Sequence, residues 1–183
     1  MKTILGTAAS LAVVLTSICF YDASSNAAEP YDARALEGIC VLEPTEGSHV
    51  MGTISLLQEG DAVHVAGEVR HLTPGKHGFH VHQFGDLRAP DGSTAGGHYN
   101  PDHDKHGGLD SAQHHLGDLG NITADDKGVA LVDIVAHGLT TRSIIGRSLV
   151  VHAKPDDLHT QPSGDSGSRV AVGVIGYRQV DNP

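Results

Sequence analysis

The chain has 183 residues and a formal net charge of −10 at pH 7 with histidine neutral, a balance that repels nucleic acid and anionic membranes and argues against both as partners. Fourteen histidines stand against 4% aromatic residues and no tryptophan, an imbalance that points towards metal chemistry. That length accommodates one domain of about 150 residues behind a leader, with a core of ordinary size.

The leader is residues 1–27. Met1-Lys2-Thr3 is a short basic start, residues 4–18 are mostly apolar, and Ser25-Asn26-Ala27 offers small residues for cleavage after Ala27 or Ala28, the pattern of a secretory signal. An uncleaved anchor is the other reading, but the apolar run is too short to span a bilayer comfortably, and no later segment is apolar enough to do so. Cys19 follows Ile18 rather than a small residue, which argues against a lipoprotein signal. The expected product is therefore exported, periplasmic or extracellular, and free of the membrane after cleavage. Losing residues 1–27 removes one base, Lys2, and one acid, Asp22, so the net charge of −10 persists. Cys40 is then the sole cysteine, and no intramolecular disulfide can form.

Residues 28–37 read as a flexible mature N-terminus and residues 38–183 as one domain, without internal repeat or linker. From Gly38 the apolar residues recur at every second position, in residues 39–42, 50–57 and 62–69, as in strands with one buried face. Further strands are predicted over 78–84, 116–123, 129–135, 143–154 and 169–180. Asp125-Asp126-Lys127-Gly128 is a hairpin turn signal. No segment holds a helical period, so an all-β antiparallel sandwich or barrel is expected. Residues 85–118 and 155–168 break the rhythm. The first contains five histidines and too little apolar surface to fold by burial alone, so metal binding is its natural source of order.

Several residue patterns carry chemistry. In His80-Val81-His82 the two imidazoles leave the same face of a strand and Val81 the other, a two-point ligand platform that spacing alone does not separate from a solvated surface strand. His98, His106, His115 and Asp118 supply three imidazoles and a carboxylate, a set that zinc accepts tetrahedrally, although a polar loop rich in histidine gives the same composition. Four protein ligands leave no open position for water, which favours a structural zinc over a zinc hydrolase. His152 closes the apolar run Leu149-Val150-Val151 and is by itself a capping or buried polar residue as readily as a ligand; with His80, His82 and His98 it completes four imidazoles, a set suited to copper.

The segments His77-Gly78-Phe79-His80-Val81-His82, Gly117-Asp118-Leu119-Gly120-Asn121, Ile145-Gly146-Arg147-Ser148-Leu149-Val150-Val151-His152 and Gly167-Ser168-Arg169 resemble the copper/zinc superoxide dismutase family, over residues 38–177. The resemblance implies an eight-stranded antiparallel Greek-key barrel with two long functional loops, and superoxide as substrate. It places copper on His80, His82, His98 and His152, and zinc on His98, His106, His115 and Asp118, with His98 shared. It makes His98 and Arg169 catalytic, Arg169 as the guide for the anionic substrate, and Asp156 a carboxylate linking a copper ligand to a zinc ligand. Outside that context Asp156 is a turn acid and Arg169 a solvated residue before a strand. Phe84-Gly85 and Gly173-Val174-Ile175-Gly176 resemble the family's dimer contacts, implying a homodimer.

Two departures accompany the resemblance. The positions that match the family's disulfide are Gly92 and Val172, while Cys40 matches a buried unpaired position in the first strand. The stretch 155–168 is shorter than in familiar cytosolic members and lacks their full set of steering charges. A non-catalytic copper- or zinc-binding protein, or a copper-delivery protein, on the same fold is the competing reading; it would need neither Arg169 nor a complete zinc set. A purely structural β-sandwich module would need none of the ligands.

Overall fold

The computed structural model describes residues 37–179. The expected signal segment 1–27 and the stretch 28–36 lie outside them, and Glu37 already belongs to the first strand. Eight strands form in the described residues: β1 (Glu37–Pro44), β2 (Met51–Glu59), β3 (Ala62–Arg70), β4 (Gly75–His82), β5 (Asp118–Ala124), β6 (Ala130–His137), β7 (Ser148–His152) and β8 (Arg169–Tyr177). All neighbours are antiparallel, in the order β5-β4-β7-β8-β1-β2-β3-β6, which makes a nearly closed barrel. Because β3 pairs with β2 and β6 rather than with β4, the β3–β4 connection passes from one half of the barrel to the other, as in a Greek key.

The period-2 pattern is what closes the core. Cys40 and Leu42 of β1, Ile54 and Leu56 of β2, Val63, Val65 and Val69 of β3 and Val132 of β6 point inward and are nearly or wholly buried, while most of their neighbours are partly or fully exposed. Each such Val, Leu or Ile contributes roughly 1.5–3 kcal/mol by leaving water. The 125–128 turn joins β5 to β6, with the Gly128 N–H donating to the Asp125 carbonyl at 2.9 Å. β4 and β7 are buried on both faces: of residues 77–82 in β4, Phe79 and Val81 lie in the core and His80 and His82 under the irregular segments, and all of Ser148–His152 in β7 is buried.

The strand predicted over 116–123 begins at Asp118, the one over 169–180 ends at Tyr177, and the one over 143–154 is shortened most. Ser143 and Ile144 of the expected 143–154 strand belong instead to a single helical turn, α1 (Thr141–Ile144), and only Ser148–His152 pair. The β-branched residues there suggest a strand, but Thr140 and Ser143 cap each other's backbone, the Thr140 hydroxyl accepting from Ser143 N at 3.2 Å, and this local bonding wins. Ile144 is fully buried from the turn. The two segments that broke the strand rhythm are irregular apart from a 3-10 turn at Ser93–Ala95.

Candidate metal centre

The long segment between β4 and β5 is stitched to β4 by its backbone. Val81 donates to Gly117 O at 2.8 Å, Tyr99 donates to Val81 O at 2.8 Å, and Gly117 donates to Tyr99 O at 2.9 Å. A β-carbon on Gly117 would fall 2.3 Å from Val81 O, so only glycine lets the two chains approach this closely. Gln83 and Phe84 donate to Gly97 O and Ala95 O at 2.9 and 3.0 Å, which sets His98 opposite His82. On the other side β7 pairs with β4, His80 opposite Val150, and delivers His152 to the same place. The β7–β8 ladder in turn pairs His152 with Arg169.

These contacts gather two buried groups, each able to hold a metal ion: His80, His82, His98 and His152, and His98, His106, His115 and Asp118, with the ligand atoms of each group within 4.8 Å of one another. In the first, one nitrogen of each outer ring is already engaged. His80 Nε2 lies 2.8 Å from Asp156 Oδ2, His82 Nδ1 lies 2.9 Å from Gly96 O, and His152 Nδ1 lies 3.1 Å from Gly167 O. Those contacts fix ring orientation and leave His80 Nδ1, His82 Nε2 and His152 Nε2 turned towards each other; the last two are 3.3 Å apart.

His98 belongs to both groups. Its Nδ1 is 2.7 Å from Asp118 Oδ1, while its Nε2 is buried without a protein partner. Asp118 also stands 3.0 Å from His106 Nδ1 and 3.2 Å from His115 Nδ1 and accepts backbone N–H bonds from Gly107 and His115 at 3.1 and 2.8 Å. Buried polar atoms without partners are rare in folded proteins. Here His80 Nδ1 and His98 Nε2 have none, and His106 Nδ1 and His115 Nδ1 face only the Asp118 carboxylate without making a hydrogen bond; all four converge on the two groups, so the residues fit a pair of metal ions.

Electrostatics prepare the two groups differently. Burial pushes His80 down to about 4 and His152 to about 3, and holds His82 well below its ordinary value, so all three are neutral and offer lone pairs at neutral pH. Burial alone would also lower His106, but the Asp118 and Asp156 carboxylates override it and raise His106 to about 9. The same carboxylates that favour a proton there favour a divalent cation in its place. Burial opposes ionisation of Asp118 and Asp156, yet their histidine partners hold both carboxyls far below the usual range.

Asp156 spans the two groups. Its two oxygens reach His80 Nε2 at 2.8 Å and His106 Nε2 at 2.9 Å. Asn121, a residue that sequence reading left without a role, clamps its backbone from both sides: Asn121 Oδ1 accepts from Asp156 N at 2.7 Å and Asn121 Nδ2 donates to Asp156 O at 2.9 Å. Gln161 similarly accepts from His106 N at 2.8 Å and donates to His106 O at 2.9 Å. Neither contact has a signal in sequence spacing.

A cavity of about 420 Å³ opens onto His82, His98, His115 and His152. Arg169 lines it, half-buried, with its guanidinium donating to Gly92 O and Gly96 O. Gln83, Asn100, His103 and Ser163 also form its walls and escaped sequence reading. Only His103, among the histidines of its segment, carried any hint.

Residues 50–175, more than half the chain, match the family model for copper/zinc superoxide dismutase. Copper and zinc are accordingly the cofactors that these buried groups serve. With the barrel, the two ligand groups and this match in agreement, the chain belongs to the copper/zinc superoxide dismutase family.

Proposed function

We propose that the protein disproportionates superoxide, two superoxide anions and two protons giving one dioxygen and one hydrogen peroxide. The four-imidazole group of His80, His82, His98 and His152 would hold copper, and His98, His106, His115 and Asp118 would hold zinc, in keeping with the donor preferences of each metal. When bound, copper supplies the one-electron redox chemistry and zinc a fixed positive charge.

The protein's own residues account for capture and proton supply. A chain of net charge −10 repels an anion, so attraction must be local. Arg169, paired across the ladder with His152 and held by the Gly92 and Gly96 carbonyls, places a permanent positive charge at the wall of the cavity. That position is the observation that carries the reading: a protein that only stored or delivered metal would have no use for a cation there. His98 Nε2, buried and otherwise unpartnered, is the atom that would hold a proton and pass it to the departing peroxide, while Asp118 steadies the opposite nitrogen.

The test is Arg169→Glu. It should lower the superoxide rate by at least about tenfold, leave metal content unchanged, and weaken azide or cyanide inhibition. An unchanged rate would remove Arg169 from the site, and metal-replete protein with no dismutation at all would favour a delivery protein.

We further propose export, on the strength of Lys2, the apolar residues 4–18 and the small residues before Ala28. Self-association through Phe84 and Val174, respectively 56% and 39% exposed beside Gly85, completes the reading. Mass determination of the secreted protein and sedimentation at micromolar concentration test these two points.

A further inference from the structure

Arg169 forms part of two walls. It lines the metal cavity on one side and, on the other, a separate cleft of about 610 Å³ bounded by the β1–β2 turn, the start of the β3–β4 connection and residues 91 and 93. Two carboxylates, Glu46 and Asp91, line that cleft together with Arg169.

Asp91 is exposed and immediately precedes Gly92, the residue whose carbonyl receives one Arg169 N–H. Its Oδ1 accepts from Ser93 N at 2.9 Å, which opens the 3-10 turn at Ser93–Ala95 and leads to Gly96, whose carbonyl receives the other. Carbonyls therefore already occupy Arg169. Asp91 shares the cleft wall with the guanidinium without competing for its donors.

A negative charge behind the anion guide subtracts from the field that the guide sends into the metal cavity. We propose that Asp91 is a positioning residue that moderates anion capture: its carboxylate attenuates the pull of Arg169 on superoxide, while its Oδ1 helps shape the turn whose carbonyls hold that guanidinium. The two roles separate chemically. Asparagine keeps an Oδ1 acceptor for Ser93 N and loses the charge, and serine keeps a shorter acceptor and also loses it. This inference rests on the reading of Arg169 as the anion guide.

The mutual effect on protonation agrees. Burial lowers the Arg169 guanidinium and Asp91 opposes that fall; the Asp91 carboxyl lies below its usual range mainly through its hydrogen bonds to Ser93, with Arg169 adding to them.

Azide binding to copper- and zinc-loaded protein, followed by the copper absorption band, reads anion affinity without turnover. Asp91→Asn should bind azide about two- to fivefold tighter than the unmutated protein at ~0.01 M salt, as expected for removing one unit charge from an exposed position on the wall that Arg169 shares. The gain should vanish at ~1 M salt, where charges are screened within about 3 Å. Asp91→Ser should share the salt-sensitive gain, which a purely structural role could not produce, and the superoxide rate of both variants should rise in parallel. Unchanged or weaker azide binding in both variants at low salt overturns the proposal while leaving Arg169 as guide. Failure of the unmutated copper protein to bind azide overturns the guide, and Asp91's role with it.

Discussion

Gly92 and Val172 face each other across the gap between the long β4–β5 segment and β8: a β-carbon on Gly92 would stand 3.6 Å from Val172 Cγ1. These are the positions that match the family's crosslink, and the described residues contain one cysteine, the buried and unpaired Cys40. The segment is instead held by the Arg169 bonds to Gly92 O and Gly96 O and by the ligand group around Asp118. Dithiothreitol should therefore leave the melting temperature unchanged, whereas a chelator should lower it by more than about 10 °C and open residues 85–118 to proteolysis. Metal-free protein that melts like the loaded form would contradict this dependence on metal.

The same relationship can be engineered. Gly92→Cys with Val172→Cys should form a disulfide on oxidation. A crosslink of this span contributes roughly 2–4 kcal/mol. Against it stands about 1 kcal/mol for placing a side chain at the Gly92 φ of 73°. The oxidised variant should melt several degrees higher and lose part of its sensitivity to chelator, with differential scanning calorimetry as the check.

His98 is common to both ligand groups, so its replacement should uncouple them. In protein loaded with copper and with cobalt in place of zinc, the electron paramagnetic resonance spectrum should reveal magnetic coupling. His98→Ala should abolish that coupling while each metal still binds more weakly. Absence of coupling in the unmutated protein would show that His98 does not bridge.

Asp156 contacts one histidine of each group, 2.8 Å from His80 and 2.9 Å from His106. Loss of such a supporting carboxylate typically weakens metal affinity about 10–100-fold. Asp156→Ala should therefore lose zinc in competition with a chromophoric chelator that leaves the unmutated protein intact, and Asn121→Ala should show a smaller loss in the same assay.

Cys40 offers a chemical view of the core. Burial pushes its thiol up from 9.0 to about 12, so the reactive thiolate is suppressed in the folded protein. Between those two pH values the unfolded thiol gives up its proton while the folded one keeps it, so its contribution to stability is complete below 9.0 and declines as pH rises towards 12. Iodoacetamide at pH 8 should label Cys40 only at the rate of unfolding, and faster still when metal is removed. Prompt labelling of the native protein would place Cys40 outside the core.

Residue spacing made part of this legible and topology hid the rest. The alternation in β1 to β3 announced the barrel, and the two-residue step from His80 to His82 put both imidazoles on one face of β4 without separating a ligand platform from a solvated strand. His152, Asp156 and Arg169 join that face only through the β4–β7 and β7–β8 registers, which no local pattern encodes; resemblance to the family was needed to choose them. The clamps from Asn121 and Gln161 and the wall residues Gln83, Asn100 and Ser163 are ordinary polar residues in sequence and gain their roles from position alone. The helical turn at Thr141–Ile144 was hidden by its β-branched composition, which capping overrode.

The most direct measurement is metal analysis and superoxide dismutation on one purified sample. One copper and one zinc per chain, together with a fast superoxide rate that falls as salt is raised, is the result expected from a buried pair of ligand groups guided by Arg169. A sample with both metals bound and no dismutation above that of buffer would contradict the account.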